Sequence, residues 1–197
     1  MILTPRQEEE LEHIPVAMVR ETLTDLPSFA LPTGYRLRRY RRGEERLWAE
    51  IETAVAEFPT VERALAHFEK EFGAYRGKME SRCLFLEDAA GRAIGTTTAW
   101  YSGDFHGEEY GRIHWVGIVL EYQSRKLAKP LMAAAMERLA QSHDRAYLAT
   151  QTTSARAIQM YLDFGFAPFL TSDRCREAWR LLASVLGHPA LQAYQAR

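Results

Sequence analysis

The sequence is poor in the residues that define several large classes of protein. It has only two cysteines, Cys83 and Cys175, among 197 residues, too few for a disulfide scaffold and without the spacing of a metal site. Its longest apolar runs fall well short of the roughly 20 residues that cross a bilayer. The formal net charge is −1, so nucleic-acid binding through bulk positive charge is not expected.

The N-terminal residues also lack the apolar stretch of a signal peptide, so we expect a cytoplasmic protein without a membrane partner. What is present fits one ordinary domain: hydrophobic residues make up 47% and charged residues 26% of the chain, the balance of a protein with a packed core.

The basic run over 36–42 is a local exception to the near-neutral charge. Solvated arginines at the end of a strand are the favoured interpretation of this run, and nucleic-acid contact is a weaker one.

Apolar periodicity divides the chain into alternating strands and helices. A proline turn signal, an apolar run or a change of period marks each boundary. The predicted elements are a short helix over 4–11, a strand over 16–20, a strand over 35–40, helices over 43–58 and 60–72, a hairpin over 83–100 with its turn at 88–91, a loop over 102–111, a strand over 114–120, a helix over 130–139, a strand over 146–151, a helix from 154, and a helix over 173–186.

The most informative stretch runs from 114 to 166. An apolar strand over 114–120 leads into a short polar, basic loop over 121–129 and then into a helix. Such a strand, loop and helix can hold an anion, because free backbone N–H groups and the positive end of the helix dipole converge on one place. The stretch therefore indicates an enzyme that uses a phosphate-bearing cofactor.

In this stretch the chain resembles the GNAT superfamily of acyl-CoA-dependent N-acetyltransferases. The pyrophosphate loop of that family reads Q/R-x-x-G-x-G/A, and here Gln123 fills the first place and Ala128 the last, with Lys126 where the first glycine falls. Downstream the family often reads N-x-x-A-x-x-x-Y and ends in G-F. The residues that match this second motif are Ala157, Tyr161, Gly165 and Phe166, with Ser154 in place of the asparagine.

The resemblance implies the GNAT fold, of class α/β (α+β), in which a mixed, twisted central sheet is flanked by helices on both faces. We expect the GNAT domain over 34–170, an N-terminal extension over 1–33, and a C-terminal helix within 171–197 that packs on the same domain. The family commonly ends in a hairpin strand, where this chain has the helix pattern of 173–186. The N-terminal segment would either replace that strand or cover a sheet edge.

The resemblance also implies acetyl-CoA as cosubstrate and no metal. The acyl donor would lie along the strand before the loop, where a backbone N–H would stabilise the oxyanion, and the loop would wrap the pyrophosphate. Lys126 could resist a left-handed backbone, yet it adds charge for a phosphate; Ser154 could instead be only a helix N-cap. The residues implied in cofactor binding are Val116, Gly117, Ile118, Gln123, Ser124, Arg125, Lys126, Leu127, Ala128, Lys129 and Ser154.

Tyr161 is the candidate general acid, because the family tyrosine at its position protonates the departing thiolate and a phenol is protonated at pH 7. The general base stays open. His114 takes a place that resembles the proton-relaying histidine of the arylalkylamine acetyltransferases, and imidazole titrates near neutral pH. The glutamate that some members use would fall at Ala149. The rival bases in the loop before the strand are Glu109, Glu108 and Asp104.

Two functions from different classes follow from these residues. The first is direct transfer of an acetyl group from acetyl-CoA to a primary amine of an unidentified acceptor, since neither cysteine is placed for a covalent intermediate. The second is a non-catalytic acyl-CoA sensor or interaction module on the same fold, which Lys126 and the missing glutamate favour slightly. A monomer or a homodimer is expected, because the apolar side of the last helix can pack on its own domain or on a second copy.

Overall fold

The computed structural model describes residues 11–195. Over these residues the predicted helices and strands occur in their predicted order, and a helix over 76–82 and a strand over 167–169 occur in addition. The helix predicted over 4–11 lies outside the described residues, Leu11 apart. Short 3-10 turns occur at Gly73–Tyr75, Leu120–Tyr122, Thr152–Ser154 and Pro189–Tyr194. The remaining elements are β1 (Pro15–Arg20), β2 (Arg36–Arg39), α1 (Glu45–Ala54), α2 (Val61–Phe72), α3 (Arg76–Arg82), β3 (Cys83–Glu87), β4 (Ala93–Phe105), β5 (Glu108–Ile118), α4 (Ala128–Ala140), β6 (Ala146–Gln151), α5 (Ala155–Asp163), β7 (Ala167–Phe169) and α6 (Asp173–Leu186).

Contacts within the chain group the described residues into two compact units. The larger unit holds residues 23–144, and the smaller unit holds residues 11–22 and 145–195. The division of the chain into 1–33, 34–170 and 171–197 stays a prediction. None of the helices that the structure describes is both long enough and apolar enough to cross a membrane.

The larger unit is built on four antiparallel strands in the order β2-β3-β4-β5. Helices α1 and α2 supply its aromatic core, in which the Trp48 and Phe68 rings lie 5.2 Å apart, edge to face. Thr60 caps the start of helix α2: its hydroxyl accepts a hydrogen bond from the Arg63 N–H at 3.3 Å. The apolar residues Phe68 and Phe72 of α2 are fully buried, so the predicted apolar side of the helix faces the core.

The loop predicted over 102–111 is wrong: it is the end of β4, a two-residue turn and the start of β5. The turn residues His106 and Gly107 have φ of +55° and +83°, the pair of left-handed residues that a tight hairpin with the normal strand twist requires. Phe105 and Tyr110 pack across the hairpin with their ring centroids 5.5 Å apart. Turn-forming residues in this segment therefore mark a turn of two residues and not a long loop.

The smaller unit is built on three antiparallel strands in the order β6-β1-β7. Strand β1 pairs with β6 along its whole length, from Pro15 opposite Gln151 to Arg20 opposite Ala146, and it pairs with β7 on its other side. The N-terminal segment thus supplies a strand of this sheet. Of the two predicted alternatives, replacement of the missing strand is the one observed.

The C-terminal helix α6 has the predicted bounds. Its N-cap is Ser172, whose hydroxyl accepts from the Cys175 N–H at 3.2 Å, and its C-cap is Gly187 with φ +59°, the left-handed residue that closes many helices. Trp179 and Leu182 are fully buried within the single chain. The apolar side of α6 is therefore covered within its own unit.

Candidate functional site

The basic loop after β5 folds into a concave array of backbone N–H groups. Ser124 and Lys126 both have φ of +62°, and Leu127 returns to the right-handed region with φ −89°. Left-handed residues that alternate with right-handed ones turn successive N–H groups towards one side, which makes an anion-binding nest. Lys126 thus adopts the conformation that glycine would take at its place, at a cost of roughly 1–2 kcal/mol.

Helix α4 starts directly after this nest and adds its own donors. Leu127, at the N-cap position, makes no side-chain cap, and the first N–H groups of a helix have no partner within it. Arg125 donates from Nη2 to the Glu121 carbonyl at 2.9 Å, and its guanidinium lies 4.7 Å from the centre of the Tyr122 ring. The loop can therefore receive an anion with backbone dipoles and with positive side chains.

Side chains hold the loop in place from both ends. The Gln123 amide donates from Nε2 to the Ile118 carbonyl at 3.0 Å, which ties the loop to the end of β5. The Tyr122 hydroxyl donates to Asp88 Oδ2 at 2.6 Å, which anchors the loop to the turn between β3 and β4. Of the predicted cofactor-binding residues, the structure thus joins Ile118 of the strand to Gln123 of the loop.

A β-bulge interrupts β5 just before those strand residues. Thr98 pairs with His114 and Thr96 pairs with Gly117, so β5 carries one residue more than β4 over this interval. The residue after His114, Trp115, has φ of +51°, an outlier for a bulky side chain. Bulges of this kind re-aim side chains and backbone, and they are frequent beside active sites.

The bulge directs two consecutive side chains to one carboxylate on α2, that of Glu71. His114 Nε2 lies 3.0 Å from Glu71 Oε1, and Trp115 Nε1 donates to Oε2 at 3.0 Å. Neighbouring residues of a regular strand point to opposite faces, so the bulge is what lets both reach the same group. His67 Nε2 lies 3.0 Å from Oε2, and Arg112 Nη1 lies 3.8 Å from Oε1.

The charges of this cluster set the protonation of its members. Burial alone would raise the pKa of Glu71. Its hydrogen bonds and the charge of His114 outweigh this effect and lower the pKa to about 2. The pKa of His114 is lowered, chiefly by burial, with Arg112 and His67 acting in the same direction and Glu71 opposing them. Near neutral pH, Glu71 is therefore ionised and His114 is a neutral imidazole.

The rival bases lie elsewhere on the hairpin. Glu109 is exposed and precedes His114 by five residues on β5, which places the two about 16 Å apart along a strand. Glu108 is exposed as well, and Asp104 accepts from the Gly107 N–H of the turn at 2.5 Å. The structure does not bring Glu109 to His114, and it gives the three hairpin carboxylates no part in the Glu71 cluster.

A second carboxyl that the sequence did not single out lies behind β5. Glu52 on α1 is 1% exposed, and its Oε1 has no hydrogen-bond partner among the residues that the structure describes. Oε1 lies 3.5 Å from the position that a Cβ on Gly117 would occupy. Burial, with the charge of Glu57 in support, raises the pKa of Glu52 to about 8.

Sequence reasoning missed Glu52 and Glu71 for different reasons. Glu52 sits next to Ile51 on α1, and charged residues on an amphipathic helix ordinarily face solvent. For Glu71 a local signal existed, because His67 stands four residues before it, a spacing that places both on one helical face. Nothing in the local pattern connects either glutamate with β5.

In the smaller unit, Tyr161 lies on α5 and is 7% exposed. Its carbonyl accepts from the Phe166 N–H at 3.0 Å, and the two rings pack edge to face at 6.3 Å. Gly165, with φ +78°, supplies the left-handed residue that reverses the chain after the helix. The Gly-Phe pair thus fixes the end of the helix that carries Tyr161.

Ser154 stands at the start of the same helix but does not cap it. Its side chain makes no cap hydrogen bond, and its hydroxyl accepts from Gln151 Nε2 at 3.0 Å. The capping interpretation of Ser154 is therefore wrong.

Within residues 11–195 the structure has no group of three or more His, Cys, Asp or Glu side chains able to hold a metal ion.

Solved structures with the same fold come from several organisms. A GCN5-related N-acetyltransferase from Sphaerobacter thermophilus is 23% identical and superposes with a TM-score of 0.61 over 83% of this chain and 52% of its own. An acetyltransferase of the GNAT family from Colwellia psychrerythraea is 9% identical, with a TM-score of 0.60 over 80% and 54%. A tandem GNAT protein of clavulanic acid biosynthesis is 18% identical, with a TM-score of 0.56 over 81% and 51%.

This chain spans about half the length of these structures, and at such identities they establish the fold alone. In sequence, no curated protein matches the chain. The model of the acetyltransferase (GNAT) family matches residues 44–166, more than half of the chain, and that segment holds β5, the basic loop, α4 and Tyr161. The α/β fold, the loop geometry and this match together show that the chain belongs to the GNAT acetyltransferase family.

Proposed function

We propose that the protein transfers an acetyl group from acetyl-CoA directly to a primary amine of an acceptor. The observation that carries this proposal is the left-handed conformation of Lys126. The loop keeps its nest of N–H groups although the glycine of the family motif is missing, and Lys126 adds an exposed positive charge for the pyrophosphate. Acetyl-CoA as donor also agrees with the cytoplasmic location that the sequence predicts.

Each chemical task then falls to a named group. Gln123 and the loop to Lys129 bind the pyrophosphate, and the backbone of Val116–Ile118 positions the thioester and offers an N–H to the oxyanion. His114, neutral near pH 7, takes the proton of the attacking amine, directly or through water. Tyr161 gives its phenolic proton to the sulfur as the C–S bond breaks, so the products are the amide and free CoA.

A non-catalytic acyl-CoA sensor is the second candidate. It keeps the same loop and the same cofactor contacts, and it differs only in having no turnover. The missing glutamate favours it, because Ala149 on β6 offers no proton acceptor. The Glu71–His114 pair favours the enzyme, since an oriented neutral imidazole serves proton transfer and contributes nothing to holding CoA.

Calorimetry with acetyl-CoA is the first test. We expect micromolar binding by acetyl-CoA and by desulfo-CoA, and much weaker binding by an adenosine nucleotide that lacks the pantetheine arm. Absence of acetyl-CoA binding would refute both the enzyme and the sensor and would leave only the fold.

Turnover separates the two remaining functions. Thiol release from acetyl-CoA is followed over a panel of primary amines, with Tyr161→Phe as the variant and Tyr147→Phe, a change on β6 of the same unit, as its matched control. The enzyme predicts that only Tyr161→Phe lowers the rate, by about 100-fold, while calorimetric affinity is kept. Binding without turnover on any amine would establish the sensor instead.

A further inference from the structure

We propose that Glu71 is a positioning residue that holds the imidazole of His114 in the tautomer with its proton on Nε2, which leaves Nδ1 as the atom that accepts the proton of the amine. This inference rests on the proposed function and deepens it, because it assigns the proton acceptor to one ring nitrogen. It is carried by the three N–H donors that converge on Glu71.

The tautomer follows from the chemistry of the pair. An ionised carboxylate only accepts hydrogen bonds, so a ring nitrogen at hydrogen-bond distance from it must carry a proton. His114 Nε2 lies 3.0 Å from Glu71 Oε1, and Nε2 is therefore the protonated nitrogen. In a neutral imidazole the other nitrogen, Nδ1, then has a free lone pair and acts as a base.

Glu71 itself is a poor candidate for the base. Its second oxygen, Oε2, already receives the His67 and Trp115 N–H groups at 3.0 Å each, so an incoming amine would have to displace one of them. Its pKa of about 2 lies far from neutral pH, and a general base works best when its pKa is near the operating pH. The cluster thus uses Glu71 to orient a base and not to serve as one.

Packing in the aromatic core holds the side chains of His114 and Glu71 in place. The His114 and Trp115 rings lie 4.4 Å apart, and Trp115 packs edge to face on Trp48 at 5.3 Å, inside the aromatic core. Glu71 precedes the fully buried Phe72 on α2, so the backbone that carries the carboxylate is anchored in the same core. A side chain fixed at both its backbone and its partner loses little further freedom in the reaction.

The charged groups that face His114 determine how the variant changes its titration. Glu71 and His67 approach it from α2, and Arg112 approaches it along β5. Glu71 is the one that stabilises the imidazolium, while burial, Arg112 and His67 oppose it. In Glu71→Gln the stabilising charge is removed, so the pKa of His114 falls further and the acidic limb of the pH profile of kcat/KM moves to lower pH.

The first test reads the tautomer without any reaction. Two-bond ¹H–¹⁵N correlations on ¹⁵N-histidine-labelled protein distinguish Nε2–H from Nδ1–H rings, and His114→Gln assigns the signal among the six histidines. We expect His114 as Nε2–H in the wild type and as a mixture in Glu71→Gln. The matched control is Glu69→Gln, an exposed residue two positions earlier on α2 whose carboxylate pairs with Arg76, and it should leave the signal unchanged.

An Nδ1–H ring in the wild type would overturn the proposal, whether or not the variant folds. So would an unchanged Nε2–H pattern in folded Glu71→Gln. The result does not depend on turnover, so the inference about the tautomer can fail while the acetyltransferase proposal stands, and the reverse.

Kinetics supply the second test. With an active amine, Glu71→Gln should keep the calorimetric affinity for acetyl-CoA, lower kcat by about 100-fold and shift the acidic limb of kcat/KM to lower pH. Glu71→Asp, which keeps a carboxylate, should recover part of the rate. A kcat that falls with an unmoved acidic limb would indicate a merely structural role and would also overturn the proposal.

Discussion

Glu52 gives the sharpest prediction for folding stability. Its carboxyl is buried on α1 and its pKa is raised from an ordinary 4.5 to about 8, chiefly because burial disfavours the charged form. In the folded protein it therefore keeps its proton over a pH range in which the unfolded chain has lost it. The contribution of Glu52 to the free energy of unfolding is therefore fully present below about pH 4.5 and is lost as the pH rises towards 8.

The magnitude follows from the width of that range. Each pH unit between the unfolded and folded pKa costs about 1.4 kcal/mol of unfolding free energy. Because titration is incomplete at both ends of this range, the carboxyl of Glu52 should remove about 3.5 kcal/mol from the free energy of unfolding between pH 5 and pH 8. In Glu52→Gln the side chain keeps its shape and cannot ionise, so this part of the pH dependence should disappear.

Urea unfolding followed by circular dichroism at pH 5 and pH 8 measures the effect. The quantity compared is the change in unfolding free energy between the two pH values, because any constant cost of burying the Gln amide cancels in it. Glu50→Gln, on the exposed side of the same helix, serves as control and should behave like the wild type. Equal pH dependence in the wild type and in Glu52→Gln would refute the buried, protonated carboxyl.

Further substitutions test the loop and the sheet. Lys126→Gly should keep or slightly raise the thermal stability, since it relieves the left-handed strain, and should weaken acetyl-CoA binding about two- to fivefold with a smaller salt dependence; tighter binding would contradict a role for the charge. Gly95→Ala should cost about 1–3 kcal/mol of stability, because its Cβ would lie 2.9 Å from the Gly117 carbonyl oxygen. Gly77→Ala on α3, where nothing lies within 4 Å, should instead stabilise by about 0.5–1 kcal/mol, and urea unfolding compares the two.

Local patterns predicted the elements whose signals are local. Helix α2 has a threonine cap and apolar residues at helical spacing, and α6 has a serine cap and a terminal glycine, so both were predicted to within a residue. Helix α3 was missed, because it is short and has a glycine at Gly77 in its first turn. Its formation depends on burial of Met79 and Arg82, which a single window of sequence does not reveal.

The position of β1 depends on contacts that lie far apart in sequence. The Ile14 N–H donates to the Thr152 hydroxyl at 2.9 Å across 138 positions, and Arg20 donates to the Phe164 carbonyl. The alternation of apolar residues in β1 indicates a strand but says nothing about which strand it joins. The sequence of β1 is therefore compatible both with replacement of the missing strand and with cover of a sheet edge, and the long-range contacts decide between them.

The candidate site likewise contains residues that the local sequence identifies and residues that only distant contacts reveal. Gln123 and Tyr161 were identified because each belongs to a short motif that resembles the family, and His114 because its place on the strand before the loop resembles that of a proton-relaying histidine. Glu71 was not identified, because its role depends on a bulge that the sequence of β5 does not indicate. A tryptophan with positive φ is unfavourable by itself, and only the partners that surround it make that conformation possible.

The bulge at Trp115 links the stability of the strand to the orientation of the base. A left-handed bulky residue costs about 1–3 kcal/mol, and here that cost is offset by the hydrogen bond from Nε1 to Glu71 and by packing on Trp48. The same Glu71 carboxylate that holds Trp115 also holds His114. Strand geometry and tautomer are therefore coupled, and a change that let Trp115 return to a regular strand would turn its side chain away from α2 and loosen the imidazole as well.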